Sequence, residues 1–404
     1  LYREDMFRDR NRESSWLLGD SGGFQIGKGK WEGDWRANSG CEKAQKKRDG
    51  VLRWMDKFMD YGMILDIPAW VDRSPEGSAA SKISSYQEAV DGTRYNNEYF
   101  MKHRDGSCKF LNVLQGENFA QADDWYEQMK DFCDPVKYPE THFNGWAMGG
   151  QNMCDIHLAL KRVVTLMRDG LLEKGKHDVM HFLGTSKLEW AMVLTAIQRG
   201  VRKAHNENFT ITFDCASPFL ATSNGQQYTG YRLEQEGKWS YMMENAPDDK
   251  ALHMDTTAYD QHCAPLYDNW MPSPMSQGLK LNDVTVYGPN DVNRMGQSNA
   301  TSWDSFTYAL LMNHNVYTHL RSVQEANRVF DEGRYPYMLV EDTFDKTEVK
   351  DVIARIFELD SYDAQMKMID DHTRLWMKVV GTRGHVGKKT VNSSAQYFSL
   401  FEEV

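Results

Sequence analysis

Apolar and polar positions along the chain follow one repeating order: a short apolar run, a polar or glycine-rich tip, then a helical stretch. The runs are WLLGDSGG from Trp16, MILDIP at 63–68, FLNVLQG at 110–116, GWAMGG at 145–150, VMHFLG at 179–184 and FTITFD at 209–214. Helical periodicity appears in EKAQKKRDGVLRWMDKFMDYG, NFAQADDWYEQMKDF, DIHLALKRVVTLMRDG and KLEWAMVLTAIQRGVRK. In the first of these, Val51, Trp54, Met55, Phe58 and Met59 share one face. Short strands alternating with helices predict parallel β/α units.

Six such units in series predict an α/β fold, a (β/α)8 barrel of the TIM type, with a doubly wound sheet as the alternative. Each run ends in a chemically useful residue: Asp20, Asp66, Gln115, Gly149–Gly150, Gly184 or Asp214. A barrel brings its strand ends to one face, where such enzymes build their sites. An open sheet spreads them along a crevice. Beyond residue 220 the order fades into stretches rich in Asn, Asp, Gly, Pro and Ser, and helical patterns return at 302–333 and 346–380. The expected organisation is a barrel over 1–330 with insertions at 26–42 and 220–300. A helical C-terminal segment, 331–404, packs on it and ends in a basic tail.

Composition narrows the class. The chain has 404 residues, 41% hydrophobic and 26% charged, as soluble globular proteins do. No apolar run reaches the ~18 residues of a membrane span. The chain begins at Leu1, so residues upstream, and any leader among them, are expected to be missing. Six cysteines at 41, 108, 133, 154, 215 and 263 form no C-x-x-C pair. Reduced thiols and a cytoplasmic location fit better than a disulfide framework. A net charge of −11 argues against a generic nucleic-acid coat and leaves room for an enzyme with a local basic groove.

Carboxylates at strand ends of one barrel can divide the labour of a double displacement at a sugar carbon. One attacks as nucleophile and another handles protons. A third can hydrogen-bond a donor-rich base edge. Taken alone, each Asp also suits a helix N-cap, and Asp-Ser-Gly-Gly is ordinary turn chemistry.

DSGGFQ at 20–25 resembles the signature hexapeptide of the tRNA-guanine transglycosylase superfamily. Five further stretches match in order: MILDIPAW, NVLQGEN, GWAMGGQ, HFLGTSK and TFDCASP. The resemblance covers roughly 15–220, with a weaker echo in NGQQYTG and LLMNHNVYTHLRSVQEANRVF. It implies that Asp214 is the nucleophile at C1′ and Asp20 the general acid/base. Phe24 then stacks on the purine and Leu183 closes its other face. Asp66, Gln115 and the backbone at Gly149–Gly150 read the base edge, with Ser21 beside them. The implied reaction expels guanine and admits a free 7-deazaguanine base through a covalent aspartyl sugar, and no cofactor takes part. The base must first be turned out of its stack.

The chain departs from the tRNA-acting members in one informative place. Their zinc site, C-x-C-x-x-C with a later His, is echoed only by His314-Asn315, because no Cys follows Cys263. No structural zinc is expected, and His314 is expected to be a hydrogen-bonded structural residue. This and the long 220–300 stretch resemble the phage and bacterial DNA-guanine transglycosylases, so the expected partner is double-stranded DNA. Two basic segments are candidate phosphate contacts: Lys46, Lys47 and Arg48, and Arg374, Lys378, Arg383, Lys388 and Lys389. Trp31 and Trp35 are candidate stacking residues, equally suited to packing. Alternatives are a tRNA enzyme, a non-catalytic nucleic-acid-binding subunit and a metal-dependent barrel hydrolase. The last lacks any compact ligand spacing. A homodimer is one assembly the resemblance allows.

Overall fold

The computed structural model describes residues 6–153, 155–184, 187–234, 239–247, 250–284, 305–334 and 348–376. Six parallel strands form one sheet in chain order: β1 (Leu18–Gly19), β2 (Tyr61–Met63), β3 (Lys109–Leu114), β4 (Gly145–Met148), β5 (Val179–Phe182) and β6 (Thr210–Phe213). Between them run α1 (Glu42–Phe58), α2 (Pro75–Ser81), α3 (Tyr86–His103), α4 (Phe119–Met129), α5 (Ile156–Arg168) and α6 (Leu188–Ala204). The fold is therefore mixed α/β, built on a six-stranded parallel sheet that is compatible with a TIM-like fold.

Every residue of β4 and β5 is buried, and so are five of the six in β3. Such unbroken burial is what a parallel sheet covered on both faces requires. Its register aligns the strand ends. Leu114 pairs with Met148, Met148 with Phe182, and Phe182 with Phe213. The next residue in each strand is Gln115, Gly149, Leu183 or Asp214.

The helices start where their caps allow. Asn118 accepts from the Gln121 amide at 2.9 Å and Asp155 from the Leu158 amide at 3.2 Å, opening α4 and α5. In α1 the buried stripe is Ala44, Arg48, Leu52, Met55 and Asp56. Trp54, expected on the apolar face, is 37% exposed and packs edge-on against Phe7.

One helix has no apolar periodicity to reveal it. The buried side of α3 carries Gly92, Thr93, Asn96 and Asn97 beside Ala89, Val90, Phe100 and Met101. A capping box opens it: Ser85 accepts from the Glu88 amide, and the Glu88 carboxylate accepts from the Ser84 amide at 2.7 Å.

The described chain divides into two units. The first comprises residues of 1–185, 196–213 and 350–399, and so holds the parallel sheet. Also in it are helices Val349–Glu358, from its second residue, and Tyr362–Asp371. Asp370 of the latter meets His157 Nε2 at 2.7 Å and Lys161 Nζ at 2.6 Å. The second unit comprises residues of 186–195 and 214–349. It contains an antiparallel pair, β7 (Gln226–Arg232) and β8 (Ser240–Asn245), and the long helix Ser305–Asp331. Asn315 on that helix ties the unit together. Its amide donates to the Thr222 hydroxyl at 2.9 Å and accepts from the Tyr228 amide at 2.7 Å.

No helix among the described residues is long and apolar enough to cross a membrane.

Candidate active site

The glycine pair of Asp20-Ser-Gly-Gly lies one backbone thick between two side chains. Gly22 has φ +89°, a left-handed conformation, and a Cβ there would overlap the Trp31 ring. A Cβ at Gly23 would lie 2.6 Å from both the carbonyl oxygen and Oδ1 of Asp66. Two glycines are therefore what allows this turn to close over the Asp66 carboxyl. Gly22 also serves as the N-cap of the single helical turn Gly23–Gly27, with no side-chain cap.

None of the three strand-end aspartates caps a helix. Gly22 caps the turn after Asp20, Ser74 caps α2 after Asp66, and Ala216 caps the helix Ser217–Ser223 after Asp214. The N-cap role that Asp commonly plays at such places is taken here by other residues.

Asp66 is buried, and Gln115 Nε2 donates to its Oδ2 at 2.7 Å. Burial pushes the carboxyl up to about 7, the Gln115 hydrogen bond opposes the shift, and the charge of Asp20 adds to it. Gln115 Oε1 is buried without a hydrogen-bond partner. Gly149 and Gly150 lie against that amide; Cβ positions there would be 2.8 Å from Nε2 and 3.0 Å from Oε1 respectively.

The segment that carries Asp66 is anchored by the polar face of α3. The Ile67 amide donates to Thr93 Oγ1 at 2.9 Å, and Asn96 Nδ2 donates to the Leu65 carbonyl at 2.7 Å. Arg48 Nε in turn donates to Asn96 Oδ1 at 2.6 Å. Arg48 is 2% exposed and faces the rings of Trp35, Tyr95 and Tyr99. Its expected place at a phosphate is thus corrected: the guanidinium is spent in the interior, holding the Asp66 loop through Asn96.

Around this pair, Ser21 is buried, and Phe24 is half-buried with its ring edge-on to Trp70 at 6.0 Å. Leu183 is half-buried, and its amide donates to the Met148 carbonyl at 3.2 Å. Asp20 and Asp214 are exposed, each directly following its strand, and Asp214 opens the second unit.

Asn152 was not singled out by the sequence. Its buried Nδ2 bridges the carbonyls of Gln115 and Gly149 at 3.2 Å each and so ties two strand ends together. Trp70 was missed as well; its tip fills the space beside Gly27, where a Cβ would sit 2.5 Å from it. Their only signal was position, two residues after a glycine pair and four after Asp66.

Lys46 and Lys47 are exposed on α1 and Arg374 is exposed on the turn Thr373–Trp376. Lys378, Arg383, Lys388 and Lys389 lie outside the described residues. Trp35 is fully buried, which assigns it to packing. Both ring nitrogens of His314 meet protein atoms, Ser273 Oγ at 2.8 Å and the Tyr228 carbonyl at 2.9 Å. No group of three His, Cys, Asp or Glu side chains suited to a metal occurs among the described residues.

No protein-family model matches the chain, and no curated protein does.

Proposed function

We propose that the chain is a DNA-guanine transglycosylase. It exchanges guanine in DNA for a 7-deazaguanine, such as 7-cyano-7-deazaguanine, and its six parallel strands belong to a (β/α)8 barrel. One observation carries the reading: a buried carboxyl and a buried amide, Asp66 and Gln115, meet beyond the carboxyl edge of a parallel sheet, with Gly23 of the turn leading into Phe24 against the carboxyl. Ionised Asp66 and the unpartnered Gln115 Oε1 are acceptors. Guanine's Watson–Crick edge carries N–H donors and matches them. A site built to hydrogen-bond such an edge rejects bases that lack it, because its buried acceptors would then go unpaired.

In this reading Phe24 stacks on a base turned out of the duplex. The Asp214 carboxylate attacks C1′, the C1′–N9 bond breaks, and guanine takes a proton from Asp20 as it leaves. The incoming base returns a proton from its N9 to Asp20 and attacks C1′, and the Asp214 carboxylate departs. Two inversions preserve the sugar configuration and the phosphodiester chain stays intact. The absent cysteines after Cys263 favour the DNA branch over the tRNA branch.

The test is exchange of labelled guanine into double-stranded DNA and unmodified tRNA in parallel, chased with 7-cyano-7-deazaguanine. Label entering DNA alone is expected, and D214N should lose at least ~10³-fold of the rate, as removal of a nucleophile does. Label entering tRNA alone overturns the branch. Label in neither, or a fully active D214N, overturns the mechanism.

A further inference from the structure

The chain carries a net charge of −11, yet residues 28–48 hold seven Lys and Arg against three acids. The structure sorts these charges. Glu32 is held by Lys43 at 3.6 Å and Asp34 by Arg36 at 2.6 Å, both at the surface. Arg48 is withdrawn into the interior. Lys30, Lys46 and Lys47 stay exposed with no ion pair among the described residues.

Two of these flank Trp31, and Lys46 precedes Lys47 on α1. The Lys47 ammonium stands over the Trp31 ring at 4.9 Å, and Lys30 precedes it in the chain. Trp31 is fixed from three sides. Its amide donates to the Gln25 carbonyl at 3.2 Å, its carbonyl accepts from Trp35 Nε1 at 3.0 Å, and its ring abuts Gly22 of the Asp20 turn. Lys28 continues the line on the other side, over the Phe24 ring at 5.5 Å. Cations thus border the candidate base pocket directly.

We infer that Lys30 and Lys47, which flank Trp31, together with Lys46 beside Lys47 on α1, form the ledge that takes the phosphates of duplex DNA next to the extracted base. The inference rests on the DNA reading above and deepens it by naming the strand's seat. Phosphate contacts set position and carry no sequence information, so the ledge fixes where the duplex lies and not which sequence is chosen. Each neutralised phosphate releases counterions and steepens the salt dependence of binding by ~0.9 in log K against log salt.

The test is binding of a short fluorescent duplex by the whole chain, followed by anisotropy as salt rises from ~50 to ~200 mM. The triple variant K30Q/K46Q/K47Q should lower the slope by about 2–3, with circular dichroism confirming an unchanged fold. The triple Lys→Arg variant should keep the slope. K109Q serves as control, because Lys109 is exposed at the start of β3, the opposite edge of the sheet from the pocket; it should leave the slope unchanged. An unaltered slope in the glutamine triple, an equal loss in K109Q, or binding of tRNA but not duplex DNA overturns the ledge. A wild-type chain without base exchange, but with the slope change intact, overturns the proposed reaction and leaves the ledge standing.

Discussion

Gln115 donates from Nε2 to Asp66 Oδ2 at 2.7 Å across 49 residues of sequence, joining the segments that follow adjacent strands β2 and β3 inside the protein. The pair leaves Gln115 Oε1 open, and burial raises Asp66 to about 7 against the opposing Gln115 hydrogen bond. Four expectations grow from this pair and the residues around it.

Asp66 should make stability depend on pH. Its folded value of about 7 lies above that of an ordinary exposed carboxyl, ~3.9, so burial stabilises the protonated form. That contribution is fully present below ~4 and is lost as pH rises through about 7. D66N removes the titration. Relative to the natural chain, it should gain stability between pH 5 and pH 8, by about 2–3 kcal/mol. Urea unfolding at the two values measures this, and parallel pH profiles for the two proteins would refute the assignment.

G22A should be costly. The residue would be held at φ +89° and its methyl group would overlap the Trp31 ring. A non-glycine residue in such a conformation costs ~1–3 kcal/mol before any overlap. A loss of that size in thermal or urea unfolding is expected, with Asp66 titrating closer to an ordinary carboxyl as the turn lifts and water enters. Unchanged stability would mean that the turn is free to move away from Trp31.

Arg48 should behave as an interior residue. R48A deletes the bond to Asn96 Oδ1 and the contacts with Trp35, Tyr95 and Tyr99. A destabilisation of about 2–4 kcal/mol is expected, since a buried charged hydrogen bond and its packing are lost together. The salt slope of DNA binding should not change. A stable variant with a reduced slope would return Arg48 to the phosphate surface.

Cys41 should be the first of the five described cysteines to alkylate. The Ala44 and Asp34 amides point at its sulfur, the latter at 3.3 Å, and lower its thiol. Burial raises the thiols of Cys108 and Cys263 to about 12, and those of Cys133 and Cys215 are raised as well. Thiolate is the reactive form, so a mass-spectrometric time course with iodoacetamide should show Cys41 modified first. Earlier modification of Cys215 would contradict this.

The parallel strands were legible because burial on both faces demands unbroken apolar runs. Phe110–Leu114 and Val179–Phe182 come close to such runs, each broken by one buried polar residue (Asn112, His181), and each appears as a strand within a residue of its expected start. β2 was legible only in part. Its ladder stops at Met63, and the rest of the apolar run, Ile64 to Pro68, leaves the sheet to carry Asp66 inward. α3 was invisible because its buried side includes Thr93 and Asn96, which bond to backbone, and Asn97, which meets the side chains of Asn112 and Met129, where a helical pattern would need hydrocarbon.

Sequence by itself determined that Asp20, Asp66, Gln115, Gly149 and Asp214 would stand at strand ends, because hydrophobic period and turn residues are local properties. Tertiary structure alone decided what those residues meet. It set Gln115 against Asp66, closed the glycine turn between Trp31 and the Asp66 carboxyl, and turned Arg48 inward while leaving its neighbour Lys47 outside. The physical reason is that desolvation and hydrogen-bond partnership depend on neighbours far away in the chain. A charge run such as Lys46-Lys47-Arg48 reads the same in sequence whichever of its members the helix rotates into the core.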